Sequence, residues 1–296
     1  MPPSLQAQVG RVGEDGIKIY GEELPERCDI ELIVKPPPTC RKEVRTVPSY
    51  SGKICYIVFP GSTWEQNSPA GVIRDAQTFF EKYCIYLNFE EKQLSKRQQK
   101  RYKKWYLRWK ERLRRSIVPR RHLKGLKKRL KAQNPNLSQN DLNQLLDKTV
   151  EDIVKRASIP KRLHSSFYRK MRSLHKKVAR KCKRTLVVFI DEYICYNPKP
   201  TRASATQLRF NQIGITAPDR RSHNILAHEL VHLLGKPKTY RGGTTSWEHQ
   251  KCPNSVMRVT RDKWYVPYNF ANDLTIQNYA EMIRNRAGVK LIQKVK

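Results

Sequence analysis

The chain has 296 residues and a net charge of +34, from 60 Lys and Arg against 26 Asp and Glu, with 38% hydrophobic residues. That length holds one large domain or two modest ones with a real core, so folding does not call for disulfide staples. The charge points to a polyanionic partner, nucleic acid first and an anionic membrane surface second, and the longest apolar run, Leu186 to Ile190, predicts neither a signal peptide nor a transmembrane segment.

Residues 1–48, with Pro36-Pro37-Pro38 and short strands expected near Ile17 and Ile30, read as an N-terminal extension. Lys53 to Phe59 reads as a strand closed by Pro60-Gly61. Val72 to Lys82 follows as a helix with Ile73, Ala76, Phe79 and Phe80 inward, and Cys84 to Phe89 as a second strand, giving a β-α-β unit.

From Glu91 to Arg184 the composition changes, with 33 Lys and Arg against 6 Asp and Glu. The periodicity here is helical. Tyr102, Trp105, Tyr106, Trp109 and Leu113 form one stripe of a helix expected from Leu94 to Ile117 and ended by Pro119. Leu123, Leu126 and Leu130 mark a short basic helix. Ser138 and Asp141 resemble a cap for a helix reaching Ala157, and a last helix follows Pro160 with Phe167, Met171, Leu174 and Val178 on one side. Four such helices suggest a small bundle or a pair of hairpins.

The aromatic stripe has two readings, a core for these helices or a platform for exposed bases. The candidate contacts to a DNA or RNA backbone are Lys103, Lys104, Arg108, Lys110, Arg112, Arg114, Arg115, Arg120, Arg121, Lys124, Lys127, Lys128, Lys176, Lys177, Arg180 and Lys181. Contacts of this kind position a nucleic acid without reading its sequence.

After the insertion, Thr185 to Ile190 reads as a buried strand, Thr206 to Thr216 as another broken at Gly214, and Ser222 to Leu234 as a helix. Residues 49–90 and 185–296 need each other to close a core. The expected fold class is therefore α+β, a mixed sheet with an active-site helix, interrupted by the α-helical basic insertion 91–184.

The seven cysteines, Cys28, Cys40, Cys55, Cys84, Cys182, Cys195 and Cys252, show no CxxC pair. They read as free thiols in an intracellular, reducing compartment, such as a nucleus or a nucleic-acid-containing particle, with all but Cys252 buried as small hydrophobes.

His228-Glu229-Leu230-Val231-His232 lies inside the last predicted helix. Four residues is just over one turn, so both imidazoles project from one face and can share a Zn²⁺, with Glu229 beside them as the base for a water proton. His249 is the nearest later histidine and the expected third metal ligand. Glu248 is an alternative ligand, and Cys252 is a possible fourth that would fill the water position.

His228, Glu229, His232 and Gly235 resemble the HExxHxxGxxH motif of the metzincin metallopeptidases. Asn254-Ser255-Val256-Met257 looks like that family's Met-turn, which would place Met257 beneath the metal; simple core filling is the other reading of that methionine. The order of elements before the motif helix is similar to the metzincin upper subdomain, and a helix near Asp273 to Arg286 fits the family's C-terminal helix. The third-ligand position of the motif falls on Lys238, a departure from the family, so the segment after Gly235 reads as an inserted loop.

The resemblance implies a metzincin-like zinc peptidase domain with one open metal position and an edge strand near Leu208 to Thr216 that receives an extended peptide. The expected function is a zinc-dependent metalloendopeptidase carried to nucleic acid or nucleoprotein by its basic insertion. The alternative is an inactive metallopeptidase-like scaffold with an architectural or packaging role on nucleic acid.

Overall fold

In the computed structural model the alternating side chains of residues 54–59 divide between the two faces of one sheet. The structure describes residues 11–12, 16–20, 23–34, 41–178, 185–194, 204–207, 211–216, 225–234 and 292–296. Their elements run β1 (Arg11–Val12), β2 (Lys18–Ile19), β3 (Arg27–Val34), β4 (Arg41–Pro48), β5 (Tyr50–Val58), α1 (Ala70–Glu81), β6 (Ile85–Glu91), α2 (Lys96–Ile117), α3 (Arg120–Gln133), α4 (Gln139–Arg156), α5 (Lys161–Val178), β7 (Leu186–Phe189), β8 (Ala205–Gln207), β9 (Gln212–Ile215), α6 (Ile225–Leu234) and β10 (Gln293–Lys294). The class is mixed α and β, with six helices among the described residues and a mostly parallel sheet.

The main sheet runs β6-β5-β7-β9-β8. Its first four strands are mutually parallel and β8 is antiparallel at the edge. Tyr50 and Ser51 of β5 also pair with β10. On one face Ile54, Tyr56, Val187, Phe189, Ile213 and Ile215 pack with the inner sides of α1 and α6. On the other face Cys55, Ile57, Phe59, Leu186, Val188 and Ile190 pack with α2 and α5.

Chain direction accounts for this division. The step from β5 to β6 passes through α1, and the step from β6 to β7 then travels back across β5 in the opposite sense. Right-handed crossovers therefore require the second connection to lie on the opposite face. The basic insertion supplies that layer. Tyr102, Tyr106, Trp109 and Leu113 of α2 and Phe167, Met171 and Leu174 of α5 are all buried, so the aromatic stripe is core. Trp105 is half-buried and packs edge-on against Phe59. The α3–α4 hairpin lies farther out, and α3 buries no side chain completely.

Local signals agree with the sequence at the helix starts. Ser95 caps α2 in a capping box with Gln98, and Ser138 accepts from Asp141 N at the start of α4. Gly214 does not break the strand as expected: it sits inside β9, paired with Ala205 of β8. Gly214 is needed at its position because a Cβ there would lie 1.9 Å from Cγ of Tyr193. Tyr193 crosses the strand at that point and donates from its hydroxyl to Gln212 Oε1 at 3.1 Å.

The extension is joined to the domain. The β3–β4 hairpin is separated from β5 only by Ser49, and Lys18 in β2 exchanges backbone bonds with the Gln77 amide of α1. A disulfide links Cys28 of β3 to Cys84 at the α1–β6 turn, and Cys55 is also disulfide-bonded. The free-thiol expectation is therefore corrected at these three residues. Their even spread along the chain concealed the pairing, since Cys28 and Cys84 meet only after the hairpin folds back onto the turn. Among the described residues no helix is long and apolar enough to cross a membrane.

Candidate functional site

Helix α6 is apolar on almost every side: Leu226, Ala227, Leu230, Leu233 and Leu234 are buried with α1 and the sheet. Its two histidines are held by this packing rather than by a solvated surface. His228 is 2% exposed, and His232, one turn later, is partly exposed.

Their Nε2 atoms stand 3.2 Å apart, with the rings nearly perpendicular at 83°. Two nitrogens bound to one tetrahedral zinc at about 2.05 Å would be separated by about 3.3 Å. The pair therefore fits adjacent positions of such an ion. Without a cation, one ring must carry its proton on Nε2 and donate to the other.

Glu229, between them in sequence, is 3% exposed. Burial pushes its pKa up to about 7, opposed by a hydrogen bond from Thr206. The Thr206 hydroxyl, on edge strand β8, lies 2.6 Å from Glu229 Oε2. A buried carboxyl with its pKa near neutrality, on the same helix as two convergent imidazoles, has the character of a group that moves a proton.

Thr206 is the residue that sequence reasoning missed. It lies 23 positions before Glu229, and the antiparallel pairing of β8 with β9 brings it over the helix. The edge strand itself is Ala205–Gln207, just before the segment expected to serve.

His249, Glu248, Cys252, Gly235, Lys238, Met257 and the helix expected near Asp273 to Arg286 lie outside the described residues. Among the described residues no three His, Cys, Asp or Glu side chains come together as a metal group.

The basic candidates fall into distinct environments. Lys103 pairs with Glu65 at 3.2 Å, Lys110 with Asp191 at 3.0 Å, Arg114 with Asp147 at 2.5 Å and Arg115 with Glu111 at 2.6 Å. Lys110 also lies 4.6 Å from the Tyr106 ring centre. Lys104, Arg108 and Arg112 are exposed on α2, Arg120, Arg121, Lys124 and Lys128 on α3, and Lys176 and Lys177 on α5. Lys127 is half-buried and bonds Asn143 at 3.0 Å. Arg180 and Lys181 lie outside the described residues.

Comparison with family models, with curated proteins and with solved structures finds no match to this chain.

Proposed function

We propose that the chain is a zinc-dependent metalloendopeptidase of the metzincin type, brought to nucleic acid or nucleoprotein by its basic helices. The observation that carries the reading is the 3.2 Å approach of His228 Nε2 and His232 Nε2 on a buried helix that also holds Glu229. The order of elements supports it: a β-α-β unit, further strands, an antiparallel edge and then the motif helix. His228 and His232 would hold the zinc with a third ligand from His249 or Glu248, and bound zinc supplies a Lewis acid that polarises a carbonyl and acidifies a water.

The chain's own residues do the rest. Glu229 accepts the proton of the attacking water and returns it to the leaving amine. Thr206 fixes that carboxyl against the edge strand. The outer edge of β8 pairs with an extended peptide by strand addition, which lays a substrate backbone alongside α6. Proximity to nucleic acid comes from the insertion, where most of the net charge lies. The site of action belongs to the same proposal, a nucleic-acid-containing compartment or particle. The Cys28–Cys84 bridge favours one whose thiols are oxidised.

One observation favours the inactive scaffold as a second reading: Glu229 Oε2 is already engaged by Thr206. A cleavage assay separates the two. The full chain is purified with zinc and incubated with a broad peptide library and with basic nucleic-acid-associated proteins, beside Glu229→Gln. Cleavage that falls by about 10²–10⁴ in the variant supports the peptidase. Equal cleavage by both defeats it, and no cleavage by either moves the assignment to the scaffold.

A further inference from the structure

Positive charge on the helical layer is compensated unevenly. Along one side of α2 the carboxylates of Glu65, Asp191, Asp147 and Glu111 each take a cation. On α5 the arrangement differs: Arg169, Arg172, Lys176 and Lys177 are exposed, and among the described residues no carboxylate pairs with them. With Gln98 of α2 and Ser173 they line a groove of about 720 Å³.

Lys170, on the same helix, adds a further cation against the aromatic rings of α2. Lys170 lies 5.0 Å from the Tyr102 ring centre and 5.4 Å from that of Trp105, and Lys177 lies 6.0 Å from Tyr102. Burial first, then the charges of Arg101 and Lys177, holds Lys170 below its ordinary pKa. Like charges crowded together without a counter-charge are relieved by a bound anion.

We infer that the groove between α2 and α5 binds the phosphodiester backbone of a nucleic acid. This rests on the nucleic-acid part of the proposed function and gives it a location, one that includes Arg169 and Arg172. Arg169, Arg172 and Lys176 follow an i, i+3, i+7 spacing, so they form one stripe about 10 Å long at 1.5 Å per residue. A strand of duplex advances about 3.4 Å per phosphate, so that stripe faces about three phosphates. A single small anion would leave most of it unused. None of the six lining residues is apolar, so an anionic membrane would gain charge contacts there without insertion.

The test uses the full chain and fluorescence anisotropy with labelled single-stranded DNA, single-stranded RNA and duplex DNA across a salt series, alongside sedimentation with phosphatidylserine vesicles. Two triple variants remove equal charge from exposed helix positions: Arg169→Gln/Arg172→Gln/Lys176→Gln in the groove and, as the α3 triple, Arg129→Gln/Lys131→Gln together with Lys148→Gln of the neighbouring α4. Thermal melts check each fold, and the double Arg172→Gln/Lys176→Gln is read instead if the groove triple melts early.

The expected result is a groove triple whose log-affinity against log-salt slope is shallower by about 2–3, with the α3 triple close to wild type. The three nucleic acids then rank the source. Loss in the α3 triple alone, or equal loss in both, overturns the groove and leaves the nucleic-acid reading standing. A wild-type chain that binds no oligonucleotide at low salt overturns both. Vesicle binding that is tighter than oligonucleotide binding and is lost in the groove triple overturns the inference in favour of a membrane.

Discussion

The Thr206 hydroxyl lies 2.6 Å from Glu229 Oε2 and 2.9 Å from Glu229 O, so the one proton of an edge-strand side chain is shared between the carboxyl and the backbone carbonyl of the motif glutamate, the carboxyl being the nearer. Replacing Thr206 by Val keeps the shape and removes the donor. A buried carboxyl deprived of a partner costs about 1–3 kcal/mol, so Thr206→Val is expected to lower the unfolding free energy measured in urea by that amount, with a lower midpoint, while Thr206→Ser recovers it. In the peptidase reading, Val also lowers kcat more than it changes KM, because the carboxyl is no longer aimed. Identical midpoints for Val and wild type would show that the bond carries no stability.

The central strands were readable because β5 and β7 alternate two buried faces over short apolar runs, and the helices because their stripes and caps are local. What the sequence hid was spatial. A net charge of +27 in residues 91–184 marks a module by composition, yet Tyr102, Tyr106 and Phe167 close the second face of the sheet. The periodicity of α2 says that one side is apolar and does not say against what it packs. The histidine pair was legible from its one-turn spacing, whereas Thr206 carries no motif. Gly214 read as a break because glycine usually punctuates strands, and its reason lies in Tyr193, 21 residues earlier in the chain.

Gly214 makes a sharp prediction. A methyl group there would meet three atoms of the Tyr193 ring within 2.3 Å, and that ring is fully buried and tethered to Gln212. Neither partner has room to move, so Gly214→Ala is expected to cost more than the usual 1–3 kcal/mol or so of overpacking. The double variant Gly214→Ala/Tyr193→Ala should recover part of that loss relative to the sum of the single changes. Additive losses in urea unfolding would contradict the proposed clash.

The Cys28–Cys84 bridge closes a loop with a sequence separation of 56. The chain-entropy model gives such a loop about 4 kcal/mol. Cys28→Ser/Cys84→Ser is expected to lose up to that amount and to be less sensitive to dithiothreitol than wild type, with Cys55 accounting for the remaining sensitivity. Mass spectrometry after alkylation without reductant provides the direct check: modification of Cys28 and Cys84 in the native chain would disprove the pairing.

His175 on α5 is held by burial below its ordinary pKa of 6.5. The unfolded chain therefore takes up this proton near pH 6.5, while the folded chain does so only at lower pH. Through that window the unfolded state binds more protons, so stability is lost as pH falls and is fully present above it. His175→Gln should lose this component. Urea unfolding at about pH 7.5 and about pH 5.5 is expected to show a larger acid loss in wild type than in the variant, and an equal loss in both would assign the pH dependence to other groups.

Zinc linkage identifies the ligands that complete the pair on α6. A metal bound only by the folded chain stabilises it by about 2.7 kcal/mol when free zinc is a hundredfold above its dissociation constant. Wild type should therefore melt higher with zinc, return to its starting midpoint with a chelator, and show no response after His228→Ala or His232→Ala. A response that survives both changes would place the metal elsewhere. Among His249→Ala, Glu248→Gln and Cys252→Ala, loss in the His249 variant alone gives three protein ligands and an open position, the arrangement that turnover requires. Loss in both the His249 and Cys252 variants gives four protein ligands, closes the position that water needs, and turns the assignment toward the inactive scaffold. In that case Cys252→Ala, despite binding zinc more weakly, becomes the variant in which peptide cleavage should first be seen.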